Sequence, residues 1–405
     1  MDGAITLSEF TSFNIAIVVY FLGVHLNSVI PFLNRYNIPE PVSGGLLVAL
    51  LSLLVYLFTG DQIGFSLEIR DFLLLYFFTT IGLNARFSDL VRGGKPLLVL
   101  LVLTVGYMCL QNGIATGLAT AMGLPVGFGL LGGTISLVGG HGTAIAWGPT
   151  LAQDYGVAGA VELGAATATL GLIAASLLGG PVADILINRR GGKPGAEVHQ
   201  QTPVIGLEHE SEATATVTHH GVMRALLWLN IAIALGAVLR EALSAGVGLD
   251  LPLFVVCLFC GILLSNIVPW LLPKLVWPAR SRSLAVISDL ALGVFLTMSL
   301  MSLQLWTIAG LAGPMMAILA AQLAGAALFI IFVLYPVMGR GYESAVLGAG
   351  FAGFALGATP TAIANMTAVT KQYGAATRAF LILPLLSAFF VDLANAAIIW
   401  LFLGG

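Results

Sequence analysis

Apolar runs near or above the length of a membrane span follow one another along almost the whole chain, and no other feature constrains the fold as hard. A helix needs about 20 apolar residues to cross the hydrocarbon core of a bilayer. Such runs fall at residues 12–33, 42–59, 71–84, 96–122 and 156–188, and again at 222–243, 251–272, 283–306, 313–338 and 374–403. Only 9% of the residues are charged and 58% are hydrophobic, whereas a soluble domain carries roughly a quarter charged residues. A water-soluble fold is thereby excluded. Because a helix satisfies its backbone within itself, the expected class is an all-α polytopic membrane protein.

The runs form two groups of five. Ahead of the last run in each group lies an extra apolar segment broken by glycine, at 125–156 and at 344–374. Between the groups, 189–221 is the one long polar stretch, so the chain divides into an N-terminal half (residues 1–188), a linker (189–221) and a C-terminal half (222–405). Asp2 and Glu9 precede or open the first run with no Lys or Arg beside them. A secretory signal would carry a basic leading region there, so the run at 12–33 is expected to stay as a span.

Basic residues test the count. With the N-terminus outside, fourteen of the sixteen Lys and Arg fall in inside loops, leaving Arg70 and Arg240 outside. Cytoplasmic loops carry an excess of Lys and Arg, so ten spans are expected, with both termini periplasmic and the linker cytoplasmic. The net charge of −3 and the lack of a basic block point away from nucleic acid as a partner. Cys109, Cys257 and Cys260 sit in apolar stretches and read as buried thiols.

The two groups repeat at an offset of 218 residues: Thr79 with Thr297, Pro96 with Pro314, Gly132 with Gly350, and Gly139 with Gly357. Thr143-Ala144-Ile145-Ala146 recurs as Thr361-Ala362-Ile363-Ala364, and Tyr155-Gly156 as Tyr373-Gly374. An odd number of spans per half makes the second half inverted, a recurrent construction of secondary transporters with sites near the midplane. A carrier is favoured over an ion channel, whose filter is usually built from several copies around one pore. An enzyme is the least favoured class, because neither a nucleophile–base arrangement nor a zinc or phosphate-binding motif is present.

Glycine-rich breaks at membrane depth are tolerated only where they are buried in protein or line a cavity, so 125–156 and 344–374 are expected as re-entrant hairpins whose tips meet. Hairpin tips offer helix N-termini, which attract carboxylates, and carbonyl oxygens, which suit sodium. The candidate substrate contacts are Ser136, Gly139, Gly140, His141, Gly142 and Thr143 in the first break, and Thr359, Pro360, Thr361 and Asn365 in the second. His141 is open between donating to a substrate, satisfying backbone and switching a proton. Two carboxylates at membrane depth, Glu162 and Asp392, are functional candidates because burying such charge is costly. Asp392 and Asn395 share a helix face, as do Thr361 and Asn365, and together they form a candidate set of hard oxygen ligands for sodium. Glu162 is either the pseudo-symmetric counterpart or an interfacial residue. Glu68-Ile69-Arg70-Asp71 reads as an interfacial ion pair, and Thr79, Thr80 and Asn84 as cavity lining or backbone-bonding groups.

At these residues the chain resembles the bacterial sodium/glutamate symporter family. The segments that carry the likeness are Ile38-Pro39-Glu40-Pro41-Val42-Ser43-Gly44-Gly45, Thr80-Ile81-Gly82-Leu83-Asn84 and Gly139-Gly140-His141-Gly142-Thr143. To these are added Gly357-Ala358-Thr359-Pro360-Thr361-Ala362-Ile363-Ala364-Asn365-Met366 and Phe390-Val391-Asp392-Leu393-Ala394-Asn395. The resemblance implies two inverted five-span halves with paired re-entrant loops. It also implies sodium-driven import of L-glutamate across the bacterial inner membrane, no cofactor beyond sodium as coupling ion, and a homodimer whose transport domain moves against a scaffold. Arg378 lies outside these motifs and is not assigned to the substrate. A proton- or sodium-coupled carrier of another dicarboxylate is the alternative within transport.

Overall fold

Apolar runs of this length fold as helices because any other backbone would leave peptide groups unpaired in lipid. The computed structural model describes residues 4–35, 38–189, 217–247 and 251–404. Most of the expected linker, 190–216, lies outside the described residues.

A strand β1 (Ala4–Leu7) leads into α1 (Glu9–Val29), followed by α2 (Pro31–Arg35), α3 (Glu40–Thr59), strand β2 (Gln62–Phe65) and α4 (Glu68–Asn84). Then come α5 (Phe87–Ala121), α6 (Val126–Leu131), α7 (Gly140–Asp154) and α8 (Ala160–Asp184), which runs on as a π turn to Arg189. The C-terminal half holds α9 (His219–Val247), α10 (Leu253–Leu271), α11 (Arg282–Met301), a 3-10 turn (Leu305–Leu311) and α12 (Ala312–Phe329). Through another π turn, α12 continues into α13 (Tyr335–Val337), and α14 (Tyr342–Leu356), α15 (Thr359–Tyr373), α16 (Thr377–Phe389) and α17 (Val391–Phe402) follow.

Among the described residues, eight helices are long and apolar enough to span a membrane, and a ninth span is made if the bent pair α16–α17 counts as one. The bend of that pair is 50°. The remaining expected span, 71–84, is helical but is only 17 residues long as α4, with Glu68 and Asp71 in its first turn. By length it sits at the lower edge of what crosses a bilayer. The all-helical expectation needs one correction: β1 pairs with β2 in parallel, Ala4 opposite Gln62 through Leu7 opposite Phe65. The α1–α3 hairpin supplies the long crossover that parallel pairing requires.

The described residues fall into two compact units, and each takes helices from both sequence halves. One lies within 1–86, 145–150 and 209–310; the other lies within 87–144, 151–208 and 311–405. The divide follows the third span of each half, at nearly the spacing of the internal repeat.

In the first unit, α1 packs on α3 and α11, and α4 packs on α10 and α11. Close backbone approach makes this possible. A Cβ on Gly44 would stand 2.2 Å from the Val19 carbonyl oxygen, and one on Gly82 would stand 2.3 Å from that of Leu258. Small residues at helix crossings are how membrane helices gain van der Waals contact when lipid offers no hydrophobic drive. Several polar side chains here are spent on the backbone. Thr79 and Thr80 donate to the carbonyls of Leu75 (2.6 Å) and Phe77 (2.7 Å), and Asn84 accepts from the Arg280 N–H (2.8 Å), where φ is +61°. Arg70 pairs with Asp71 at 2.5 Å, as its place at the end of an apolar run leads one to expect.

In the second unit, α14 packs on α8, α15 and α16, while α5 packs on α6, α12, α16 and α17. Its core runs from Leu97, Tyr107 and Met108 to Phe351, Phe354, Met366 and Leu383. Glu343 accepts from the N–H groups of Arg378 and Ala379, placing a carboxylate on the N-terminus of α16.

Glycine crossings and open glycines should respond oppositely to added bulk. Gly82→Ala should destabilise by about 1–3 kcal/mol through overpacking, whereas Gly106→Ala, with nothing within 4 Å of the added carbon, should be tolerated. Thermal unfolding of the detergent-purified protein checks both, and equal effects would remove close approach as the reason for Gly82.

Candidate functional site

The first glycine-rich break is a buried, irregular stretch between two helices. α6 starts after Pro125 and stops at Leu131, residues 132–138 run as consecutive turns, and α7 starts at Gly140 with φ +67°. The turns are closed by Gly133 N–H to Leu130 (3.1 Å), Leu137 N–H to Gly133 (3.1 Å) and Gly139 N–H to Thr134 (2.9 Å). Helix α5 reaches this stretch through Asn112, whose Oδ1 accepts from the Thr134 N–H at 2.8 Å. Only glycine fits beside that bond, since a Cβ on Gly133 would lie 2.5 Å from the same Oδ1. A Cβ on Gly127 would meet Leu151, Tyr155 and Val157, so the chain returns close to where it entered.

The second break is shorter. α14 and α15 pack against each other, and the helical path lapses only at Gly357 and Ala358, where both residues are extended or irregular. The arms touch backbone to backbone, with a Cβ on Gly353 falling 2.6 Å from Ala362 N. Pro360 sits in the first turn of α15, where its missing N–H costs nothing.

The matched halves fall on matched local structure at several points. Thr143–Ala146 occupies the first turns of α7, and Thr361–Ala364 occupies those of α15. Gly156 and Gly374 both have positive φ just past their helices, at +67° and +108°. The first arms differ, since α14 is continuous where α6 gives way to turns.

The two breaks lie side by side. A Cβ on Gly140 would be 3.8 Å from the Gly357 carbonyl oxygen, so the N-terminal ends of α7 and α15 come together. Helix α8 runs along both, because glycines face them. Its Gly164 lies against Ala144 and Ser136, Gly171 against Leu137 and the Leu356 carbonyl, and Gly179 against the Asn365 side chain. Thus Ser136, Gly139, Gly140, His141, Gly142 and Thr143 share one neighbourhood with Gly357 and the start of α15.

Individual residues then differ in what remains available. Ser136 Oγ and Thr361 Oγ1 are buried and have no hydrogen-bond partner. Thr143 lies over Gly139, its Oγ1 2.6 Å from where a Cβ would stand there. Thr359 bonds the Ser387 hydroxyl on α16, and Pro360 is exposed. His141 Nε2 meets Thr169 Oγ1 at 2.9 Å, and that hydroxyl donates its proton to the Ala165 carbonyl. His141 therefore carries its proton on Nε2 and presents bare Nδ1. Backbone satisfaction through Thr169 and an acceptor role at Nδ1 are compatible; donation from Nδ1 requires a second proton.

The expected oxygen cluster divides. Asn365 Nδ2 donates to Ala175 O (3.0 Å) and Ala349 O (3.3 Å), on the α8–α14 side of the second break. Asn395 Nδ2 donates to Thr134 O (3.1 Å), in the first break. Asp392 stands half-buried in the first turn of α17, one turn before Asn395. Glu162, half-buried, lies in the first turn of α8, two residues before the glycine that faces Ser136.

Three residues absent from the sequence-based set frame the first break. Gln322 Nε2 donates to Gln111 O (2.8 Å) and Gly132 O (3.2 Å), Gln111 Nε2 donates to Ala355 O (2.9 Å), and Asn112 holds Thr134. All three are fully buried. Their signal in sequence is amides inside apolar runs, the adjacent pair Gln111-Asn112 in one and Gln322 alone in the other.

The sodium/glutamate symporter family model matches residues 5–375. A sodium/glutamate symporter of Escherichia coli strain K12 is 41% identical over 388 residues, covering 96% of this chain and 95% of its own length. One from Haemophilus influenzae is 38% identical over 394 residues, covering 97% and 96% respectively. The chain belongs to the sodium/glutamate symporter family. These relatives are named as transporters, and this chain is read as a transporter and not an enzyme.

The His141–Thr169 bond can be tested apart from transport. His141→Leu should lower stability by about 0.5–1.5 kcal/mol through one lost buried hydrogen bond, and His141→Gln, which keeps a donor, should lose less. Chemical unfolding in detergent measures both; equal losses would assign the effect to ring packing.

Proposed function

We propose that this chain is a multi-pass symporter of the bacterial inner membrane that imports L-glutamate with sodium as coupling ion. The observation that carries the reading is the meeting of two helix N-termini at Gly140 and Gly357 in a chain that shares 41% identity with a sodium/glutamate symporter. Converging N-termini place backbone N–H groups and the positive ends of two helix dipoles where an acidic substrate is held without a fixed cation.

In this reading the substrate lies against Ser136, Gly139, Gly140, His141, Gly142 and Thr143 of the first break and Thr359, Pro360, Thr361 and Asn365 of the second. Ser136 and Thr361 supply hydroxyls that lack any other partner. His141 Nδ1 accepts from the substrate ammonium. Sodium is held by Asp392, Asn395, Thr361 and Asn365, with Glu162 as a further carboxylate. The segments 125–156 and 344–374 are re-entrant hairpins of two inverted five-helix repeats, supported by the 218-residue offset and the paired local structures. The unit carrying both breaks is the transport domain, and the other the scaffold of a homodimer. Both termini are periplasmic and the linker 189–221 is cytoplasmic, which the distribution of Lys and Arg supports.

Coupling follows if sodium binding shapes the break that the substrate then occupies, so each ligand tightens the other by the same factor. Uptake of labelled L-glutamate into proteoliposomes tests the reading. Saturable uptake that requires an inward sodium gradient and stops when choline replaces sodium is expected; uptake that persists in choline with a proton gradient would overturn sodium coupling. Asp392→Asn should raise the half-saturating sodium concentration by about tenfold, equivalent to about 1.4 kcal/mol. Unchanged sodium dependence in that variant removes Asp392 from the ion site.

A further inference from the structure

The amides that frame the first break leave a set of buried oxygens unanswered. Gln322 Oε1, Gln111 Oε1, Asn395 Oδ1 and Thr134 Oγ1 have no hydrogen-bond partner, and none of the four side chains is more than 1% exposed. Buried polar atoms are paired in the great majority of cases, and each exception marks strain, a water or an ion.

The orientation of the three amides is fixed by what their nitrogens do. Gln322 Nε2 faces the carbonyls of Gln111 and Gly132, Gln111 Nε2 faces that of Ala355, and Asn395 Nδ2 faces that of Thr134. Rotating any of them would set oxygen against oxygen, so the unpaired atoms are the oxygens. These bonds also link the four residues into one cluster. Gln322 is bonded to Gln111 and to Gly132, two residues before Thr134, and Thr134 is held by Asn395 and by Asn112, the neighbour of Gln111. Asn112 spends its oxygen on Thr134 N–H and is part of the frame.

Three amide oxygens and a hydroxyl lie unpaired beside one unpaired donor, Asn112 Nδ2, and a set so rich in oxygen suits a hard cation better than an anion. The set carries no carboxylate and no titratable group, so it holds neither a proton nor, without neutralising charge, a divalent ion. We propose that Gln111, Thr134 and Gln322 form a further sodium position under the first break, sharing Asn395 with the set that holds Asp392, Thr361 and Asn365. The inference rests on the sodium-coupled reading above and adds residues that reading does not contain. It also gives coupling a path. An ion drawn to Gln111 and Thr134 acts on both breaks, because Thr134 belongs to the first and Gln111 bonds Ala355, two residues before Gly357 in the second.

Thr134→Val is the discriminating variant, because it is nearly isosteric and removes an oxygen that bonds nothing in the protein. A structural hydroxyl without a partner is neutral or costly, so the variant should melt no lower than wild type in choline. Melting of the full-length protein in detergent is followed against sodium chloride, with choline chloride keeping ionic strength constant and no glutamate present. Wild type should gain stability with sodium; Thr134→Val should need about tenfold more sodium for the same gain, and Thr134→Ser should behave as wild type. Thr134→Ala, which also removes only the unpaired oxygen, gives the same readout if the valine variant fails to fold. A sodium response equal to wild type in whichever of the two folds would overturn the site and leave a buried water as the occupant. A wild type indifferent to sodium would instead overturn the sodium-coupled reading itself.

Discussion

A helix interrupted deep in a membrane must find partners for every peptide group it releases, because lipid offers none. That requirement organises the second unit. Thr134 N–H is answered by Asn112, Thr134 O by Asn395, Gly132 O by Gln322, and Ala355 O by Gln111. Each bond joins a break to another helix, so the broken segments are held by side chains from α5, α12 and α17. Leaving one such carbonyl or N–H unanswered would cost about 1–3 kcal/mol, enough to make each amide a condition of the local fold.

Glycine makes the same arrangement sterically possible. α8 lies against both breaks only because Gly164, Gly171 and Gly179 carry no side chain where Ser136, Leu356 and Asn365 approach. Bringing backbone so near to backbone buries hydroxyls as short as those of Ser136 and Thr361, which have no hydrogen-bond partner. Steric and polar requirements therefore reinforce each other where glycine interrupts the apolar runs.

Much of this is legible from the chain alone. Apolar run length marks the helices, and the in-register tetrapeptide falls in the first turns of α7 and α15; glycine clustering marks the first break but overextends the second, where 350–356 are helical and only Gly357 and Ala358 depart from the helix. What stays hidden is long-range pairing. Gln111 and Gln322 meet partners more than 200 residues away, and no helical spacing relates them. A buried amide in an apolar run reads equally as tolerated polarity or as a site. By spacing alone, Asn365 and Asn395 belong to one cluster, because both stand one helical turn from another oxygen ligand. Their nitrogens face different elements, Asn365's the carbonyls of Ala175 on α8 and Ala349 on α14 and Asn395's that of Thr134 in the first break, a fact set by which carbonyl each helix packs beside. The short β1–β2 ribbon escapes for a related reason: four residues are too few to show a period against a helical background.

Neutrality of the frame bears on the transport cycle. A carrier of this kind must return without its cargo as well as cross with it. A fixed charge in the frame would have to be desolvated on the empty passage, at a cost of several kcal/mol per ion even after relaxation. Amides and hydroxyls avoid that cost. In the proposed arrangement they would hold a cation weakly enough to release it, and the carboxylate of Asp392, one turn from Asn395, would be the charge to be answered before the protein moves. On this view the amides set geometry and Asp392 supplies the charge that draws the ion, so removing either an amide oxygen or the carboxylate weakens ion binding, and only the carboxylate carries a desolvation cost on the empty return.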